Sequence, residues 1–378
     1  MNNMNSIPQP EDTWYRISNA NEISSPALLV YPDRIEDNIR KMISIAGNAE
    51  VLRPHVKTHK TSEIIRLQLK HGISRFKCAT ISEVAMVAEC GAKDILLAFQ
   101  PVGPNIARLF NLRKKFPGTK ISCIADCREI IEKLSEAACT DNSEISIYLD
   151  LNVGMNRTGI QPGRNAADLF RIMTGSPNVK VEGLHVYDGH IHEKDFQLRK
   201  KICDEAFAQV EKLISEIKKF YSEPLKIVVG GTPTFPVHAL RNGIETSPGT
   251  CLLWDYGYSS SFSDMDFVQA AILLMRIISK PQGDLVCLDL GHKALASEMP
   301  HPRVKIFEIE NYEVVSHNEE HMVLRTQQAS SLNVGDVLYG IPYHICPTVD
   351  RYDYVSVVRD NKVSEQWKVE ARNRTLTI

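Results

Sequence analysis

The stretch RFKCATISEVAMVAECGAKDILLAF, residues 75–99, holds one complete folding unit. An apolar run over Arg75–Thr80 leads into a helical pattern over Ser82–Cys90, with Ala85 and Ala88 at helical spacing and Gly91 where a helix stops. A second apolar run, Asp94–Phe99, follows at once. Strand, helix and strand in so short a span read as two parallel neighbours joined by a crossover helix. The alternation continues in both directions. Strands are expected at Ala27–Tyr31, Val51–Val56, Ile121–Ala125, Ile145–Leu151, Val179–Tyr187 and Lys226–Gly230. Helical patterns lie between them at Asp33–Ala46, Ser62–Lys70, Pro104–Lys115, Arg128–Ala138 and Asp195–Phe220. This many units predict an α/β fold, either a (β/α)8 TIM-like barrel or a doubly wound sheet. The barrel is the better reading, because no strand runs into a Gly-x-Gly-x-x-Gly turn.

After about residue 255 the pattern changes. Short apolar runs at Val268–Ile278, Leu285–Leu290, Val304–Glu308, Tyr312–Val315, Met322–Arg325, Asp336–Tyr339 and Tyr354–Arg359 are separated by Gly, Pro and Asn turns. No long helical pattern remains, so a mainly antiparallel β domain is expected. The 378 residues carry 44 Lys and Arg against 46 Asp and Glu, a net charge of −2. Without basic runs, that balance argues against a nucleic-acid or anionic-membrane partner. No apolar stretch is long enough to span a bilayer, and the polar start Met1–Asn5 does not read as a secretory leader. The nine cysteines form no Cys-x-x-Cys pair and fit a reduced, cytoplasmic compartment. Residues 1–13 read as a loose tail.

Four groups of residues bear on chemistry. Arg53-Pro54-His55-Val56-Lys57-Thr58-His59-Lys60 follows an apolar run, which in a parallel barrel places it at the catalytic end. A lysine there, desolvated and beside other cations, can form a Schiff base. Gly230-Gly231-Thr232-Pro233-Thr234 and Ser247-Pro248-Gly249-Thr250 are turns whose amides and hydroxyls can hold a phosphate. Gly154–Gly159 has the spacing of a nucleotide loop, but Ile160 stands where its lysine is needed. His317-Asn318-Glu319-Glu320-His321 fits a zinc-protease motif, yet its flanks read as two strands and a turn, which is the wrong geometry. His344 and Cys346, two residues apart, point the same way on an extended chain and can supply half of a zinc shell.

Taken in order, these pieces resemble the fold-type III pyridoxal-phosphate enzymes, in particular the alanine racemase-like group of D-threonine aldolase and eukaryotic-type D-serine dehydratase. The resemblance runs from about Pro26 to Tyr354 and includes Gly183-Leu184-His185-Val186-Tyr187-Asp188-Gly189-His190 and Pro342-Tyr343-His344-Ile345-Cys346-Pro347-Thr348. It implies that Lys57 carries pyridoxal 5'-phosphate as a Schiff base, with His55 and His59 as further catalytic candidates. Arg157, Tyr187, Gly231, Thr232, Gly249 and Thr250 are the implied cofactor contacts. His344 and Cys346 are the implied ligands of one divalent metal: zinc, with manganese or magnesium as alternatives. The resemblance also makes Val51–Val56 the first barrel strand, puts the eighth near Gly243–Thr246 and sends Ala27–Tyr31 to the β domain. The resulting division is residues 1–31 as tail and joining strand, 32–255 as barrel and 256–378 as β domain.

The implied activity is a metal-assisted lyase acting on small D-β-hydroxy amino acids, by β-elimination or by retro-aldol cleavage, and the implied assembly is a homodimer. A racemase on the same fold is the first alternative. It is weakened by Ser247, which stands where racemases carry an arginine near the pyridine nitrogen. A non-catalytic carrier of the cofactor is the second. It is weakened by the long segment after the barrel.

Overall fold

The computed structural model describes residues 13–375, so the expected tail lies outside the described residues apart from Thr13. The first strand, β1 (Ala27–Val30), is separated in sequence from the sheet it joins. The next seven strands are β2 (Arg75–Cys78), β3 (Asp94–Leu97), β4 (Lys120–Ala125), β5 (Ile145–Leu151), β6 (Val179–Val186), β7 (Lys226–Val229) and β8 (Ile244–Thr246). They form a parallel sheet in sequential order, as the strand–helix alternation predicts. In the long helix Phe196–Ile217 the buried positions Arg199, Cys203, Phe207, Val210, Leu213 and Ile217 recur every three or four residues, which is one face of an α-helix. Asp195 starts it by accepting a hydrogen bond from the Leu198 amide at 2.8 Å.

The expected strand Val51–Val56 is not a regular strand. Short 3-10 turns at Ala49–Val51 and Val56–Thr58 leave only a brief extended piece between them. That piece bridges β8 through Leu52 and Thr246, and β2 through His55 and Lys77. Arg53 donates its amide to Thr246 O and His55 to Pro248 O, both at 2.8 Å, while Lys77 donates to Pro54 O at 2.9 Å. The segment therefore stands in the gap between the two edge strands without forming a full ladder. Pro54 supplies the reason, since proline has no N–H for a sheet and limits the run. The eighth strand lies where expected, at Ile244–Thr246.

The β unit contains β9 (Ala271–Ser279), β10 (Leu285–Leu288), β11 (Val304–Ile306), β12 (Glu313–His317), β13 (Met322–Arg325), β14 (Val337–Pro342), β15 (Tyr354–Arg359) and β16 (Lys362–Lys368). They run β12-β13-β10-β9-β1-β15-β16, with β14 also on β9 and β11 on β14. All pairs are antiparallel except β1 with β15. The Ala27 strand thus joins the later sheet. Strand β16 was not expected, because Trp367 is its one buried residue and the polar remainder hides its period. Asp360 and Asn361, both with positive φ, make the tight turn that pairs it with β15. His317 ends β12 and His321 precedes β13, so the pair sits on a hairpin and not on a helix.

By contacts the chain forms two compact units. One comprises the chain up to Ile35 with Trp254–Gly257 and Gln269–Lys368, and the other Glu36–Leu253, Tyr258–Val268 and the chain from Val369 on.

Candidate active site

Lys57 lies in the 3-10 turn that follows the extended segment. The Lys57 amide donates to Nδ1 of His55 at 3.3 Å, which makes that nitrogen an acceptor. Burial, then the cations of Lys57 and Lys77, pull His55 well below the usual histidine range, so it is a neutral imidazole. His59, 1% exposed, accepts the Thr61 amide at Nδ1 at 3.1 Å. Burial pulls it down to about 3, and its Nε2 meets no partner. His59 is thus neutral as well, in a local turn contact.

Tyr187, just past the end of β6, is the meeting point of three cations. Arg157 Cζ lies 4.9 Å from the centre of its ring, Lys57 Nζ 5.7 Å and Lys77 Nζ 5.6 Å. Such distances allow cation–π attraction. Arg157 is presented by a loop organised by Asn152, whose Oδ1 accepts the amides of Gly154 and Asn156 at 3.1 and 3.0 Å. Lys77, between Phe76 and Cys78 near the end of a barrel strand, was not singled out from sequence. His185 and Asp150 were quoted or passed over without a role. Asp150 Oδ1 accepts from His185 Nδ1 at 2.7 Å, leaving Nε2 to accept from Lys77 Nζ at 3.5 Å.

The two glycine turns converge beside this ring. A Cβ on Gly231 would come within 3.2 Å of the Tyr187 ring, a tight contact, and one on Gly249 within 2.8 Å of the His55 carbonyl oxygen, where only glycine lets the chain pass. The amides of Gly249 and Thr250 both donate to Thr232 Oγ1, at 3.0 and 3.1 Å. Behind the first turn, Asp188 accepts from Thr234 Oγ1 at 2.8 Å and from His238 Nε2 at 2.7 Å. Arg241 donates to His238 Nδ1 at 3.3 Å, which fixes that tautomer. Cys203 completes a buried group with Asp188 and His238 whose ligand atoms lie within 4.8 Å of one another, also missed from sequence. The hydrogen bonds make this group a brace for the turn.

These residues suit pyridoxal phosphate. Two amides of the second turn gather on a hydroxyl of the first, the position a phosphate oxygen can take. Ser247 Oγ is buried and has no hydrogen-bond partner among the described residues, as expected of a group that meets a polar atom of a ligand.

In the β unit, His344 and Cys346 are not on extended chain as the sequence suggests. His344 caps the short helix Ile345–Val349, and Cys346 lies in its first turn. His344 Nδ1 is 2.6 Å from Glu298 Oε1, and Asp255 accepts the Ile345 amide at 3.0 Å. Burial works against the charged imidazole, yet Cys346, then Asp255 and Glu298, push His344 up to about 9. Neither Glu298 nor Asp255 was named from sequence, and no local motif marks them.

Comparison with known proteins agrees with this arrangement. The family profile for the alanine racemase N-terminal domain matches residues 30–257, and that for a putative serine dehydratase domain matches residues 270–358. The chain is 28% identical over 371 residues to a D-threonine aldolase from an Arthrobacter species, covering 96% of this chain and 95% of that one. It is 24% identical over 388 residues to a D-serine dehydratase from Dictyostelium discoideum, covering 92% and 97%. The crystal structure of D-threonine aldolase from Filomicrobium marinum matches with a TM-score of 0.86 at 25% identity, over 96% of this chain and 98% of that one.

Proposed function

Since this chain belongs to the alanine racemase N-terminal domain family, we propose that it is a pyridoxal-phosphate-dependent lyase of D-β-hydroxy amino acids. The observation that carries the reading is the gathering of Lys57 and Arg157 around Tyr187, beside two glycine turns joined where the amides of Gly249 and Thr250 meet the hydroxyl of Thr232. Lys57 would hold the cofactor through its amine. Gly231, Thr232, Gly249 and Thr250 would bind its phosphate, Arg157 its phenolic oxygen, and Tyr187 would lie against its ring. When bound, the cofactor supplies an electron sink for the bond broken at the amino acid α-carbon. Neutral His55 orders the backbone at Lys57, and the hydroxyl of Ser247 would face the cofactor's pyridine nitrogen where racemases of this fold carry an arginine. That difference supports a lyase over a racemase.

His344 and Cys346 would hold one divalent metal, with Glu298 orienting the imidazole. A thiolate ligand is soft and favours zinc. The metal would supply Lewis-acid stabilisation to a leaving hydroxyl, chemistry that favours β-elimination. Retro-aldol cleavage is the second reading, supported by likeness to the aldolases. The match to residues 270–358 supports an enzyme over a bare carrier. We place the protein in the cytoplasm as a homodimer, for which light scattering should return about twice the chain mass.

The test is a panel of D-serine, D-threonine and D-3-hydroxyaspartate with their L isomers, with and without chelator. Keto acid and ammonia, or glycine and an aldehyde, should form from D isomers only and cease on chelation. Interconversion of D- and L-alanine would replace the reading with a racemase, and no turnover of any substrate with a carrier.

A further inference from the structure

We infer that Lys77 is a second amine of the reaction site, an acid–base group that exchanges a proton with bound substrate beside Lys57 and is held for that purpose by Asp150 and His185. The inference rests on the proposed reading of Lys57 as the cofactor lysine.

Three features of the fold support it. Lys77 comes from the penultimate position of β2, at the end of the barrel where Lys57, Arg157 and Tyr187 gather. It is 2% exposed, yet among the described residues no carboxylate oxygen lies within ion-pair distance of its Nζ. Its hydrogen-bond partners are His185 Nε2 and the carbonyl of Gly230, both at 3.5 Å. A structural buried lysine ordinarily has a carboxylate against it, because an unpaired buried ammonium is costly. Here the fold instead supplies two weak acceptors, one of them a neutral imidazole, which suit an amine that spends part of its time uncharged.

The charges around it agree. Burial, then the Lys57 cation, pull Lys77 down to about 7, with Arg53 acting the same way, while Asp188 and Asp150 oppose. His55 faces it across the bridge from the Lys57 segment, and His185 and Tyr187 from the end of β6. Arg157 reaches the same ring from its loop. His185 is itself held low, first by burial, although Asp150 raises it. His185 thus stays a neutral acceptor, and the titrating member of the row is Lys77. The step is one proton: the lone pair on Nζ takes it from the substrate, and the ammonium later returns it. No oxidant or further reactant is needed.

The test begins with NMR of 15N-labelled lysine in the cofactor-free full chain, the Lys77 signal being the one lost in Lys77→Met. Its midpoint should lie near 7, and Asp150→Asn should lower it by removing an opposing anion. A midpoint at the ordinary lysine value of about 10.4 would overturn the inference by itself, with no variant required to fold. In the loaded enzyme turning over D-threonine or D-serine, log kcat should fall with unit slope below that midpoint. Lys77→Met should lower kcat at least a hundredfold, change KM only a few-fold and remove that limb. Lys77→Arg should be equally slow, which a merely structural cation would not be. Borohydride trapping of pyridoxal phosphate with peptide mapping separates the two claims. A label on Lys57 with an unchanged pH limb in Lys77→Met overturns this inference alone, and a label absent from Lys57 overturns the reading beneath it.

Discussion

The interior of the barrel and the core of the β unit are filled with different side chains. In the β unit, Leu29, Ile272, Leu274, Tyr339 and Ile341 pack together, with Tyr15 stacked on Phe307 at 4.1 Å. The barrel has an apolar layer of its own, Leu96, Ile124, Tyr148 and Val228, but charged groups lie buried around it. Arg53 donates to Glu245 at 2.6 Å and to Asp94 at 2.8 Å with none of its side chain exposed. Lys77, His185 and Asp150 lie nearer the catalytic end. Burying charge in this way rarely adds net stability over apolar packing. The β unit is therefore built as a core, whereas the barrel interior keeps charged groups that apolar packing alone does not call for.

That contrast can be broken most severely at Arg53. Arg53→Ala should destabilise the protein by about 3–5 kcal/mol, since Glu245 and Asp94 would remain buried without their main partner. Urea denaturation measures it, and a loss under about 1 kcal/mol would mean that Arg75 and Lys226, the neighbouring cations, already carry the pairing. Leu274→Ala in the fully buried centre of β9 should cost about 3 kcal/mol by opening a cavity. Its effect should be confined to stability, with labelling of Lys57 by the cofactor unchanged in protein that remains folded.

The same contrast explains what could be read from sequence. The β unit announced itself by short apolar runs, and only the polar strand β16 escaped, because one tryptophan cannot make a period. The barrel announced itself by alternation, and its turns by glycine and threonine. Lys57 stood out as a candidate because a motif surrounds it. Lys77 was not, since a lysine inside an apolar strand reads as an exposed edge until the strand is seen to face inward. Glu298 and Asp255 are far from His344 in sequence and had no signal at all. Pro54 was visible, yet its effect of reducing the first strand to two bridges depends on both edges it must meet.

Lys77 gives the contrast a sign. Its folded value near 7 lies below the ordinary lysine value of about 10.4. Below pH 7 the ammonium is charged in both states, and the folded protein bears the cost of burying it. Between about 7 and 10.4 the unfolded chain holds the extra proton, so stability rises with pH across that window. Lys77→Met should therefore be more stable than the parent at pH 6, by about 4–5 kcal/mol, and the difference should shrink to under about 1 kcal/mol by about pH 10. Paired urea titrations at the two pH values test this. A variant less stable at pH 6 would show that Lys77 is a structural cation and that the barrel interior is less costly than argued.

The smallest expected effect lies at the start of the helix that follows Lys77. Thr80 has extended backbone and its Oγ1 accepts the Glu83 amide at 3.1 Å, while Glu83 reaches back to accept the Ala79 amide at 2.6 Å. This pairing satisfies the Glu83 amide, one of the donors that the helix Ile81–Glu89 leaves open at its first turn, and the Ala79 amide just before the cap. Glu83 is wholly buried and lies 3.7 Å from Lys60, so the cap also ties the helix to the residues after Lys57. Thr80→Ala should cost about 1 kcal/mol, a fall in melting midpoint of about 2–4 °C, and Thr80→Ser should restore most of it. Because Glu83 keeps its own bond to Ala79 in the variant, cofactor labelling at Lys57 should hold. A larger loss in labelling than in stability would mean that the cap positions the reactive end of β2, and would move Thr80 from the scaffold to the site.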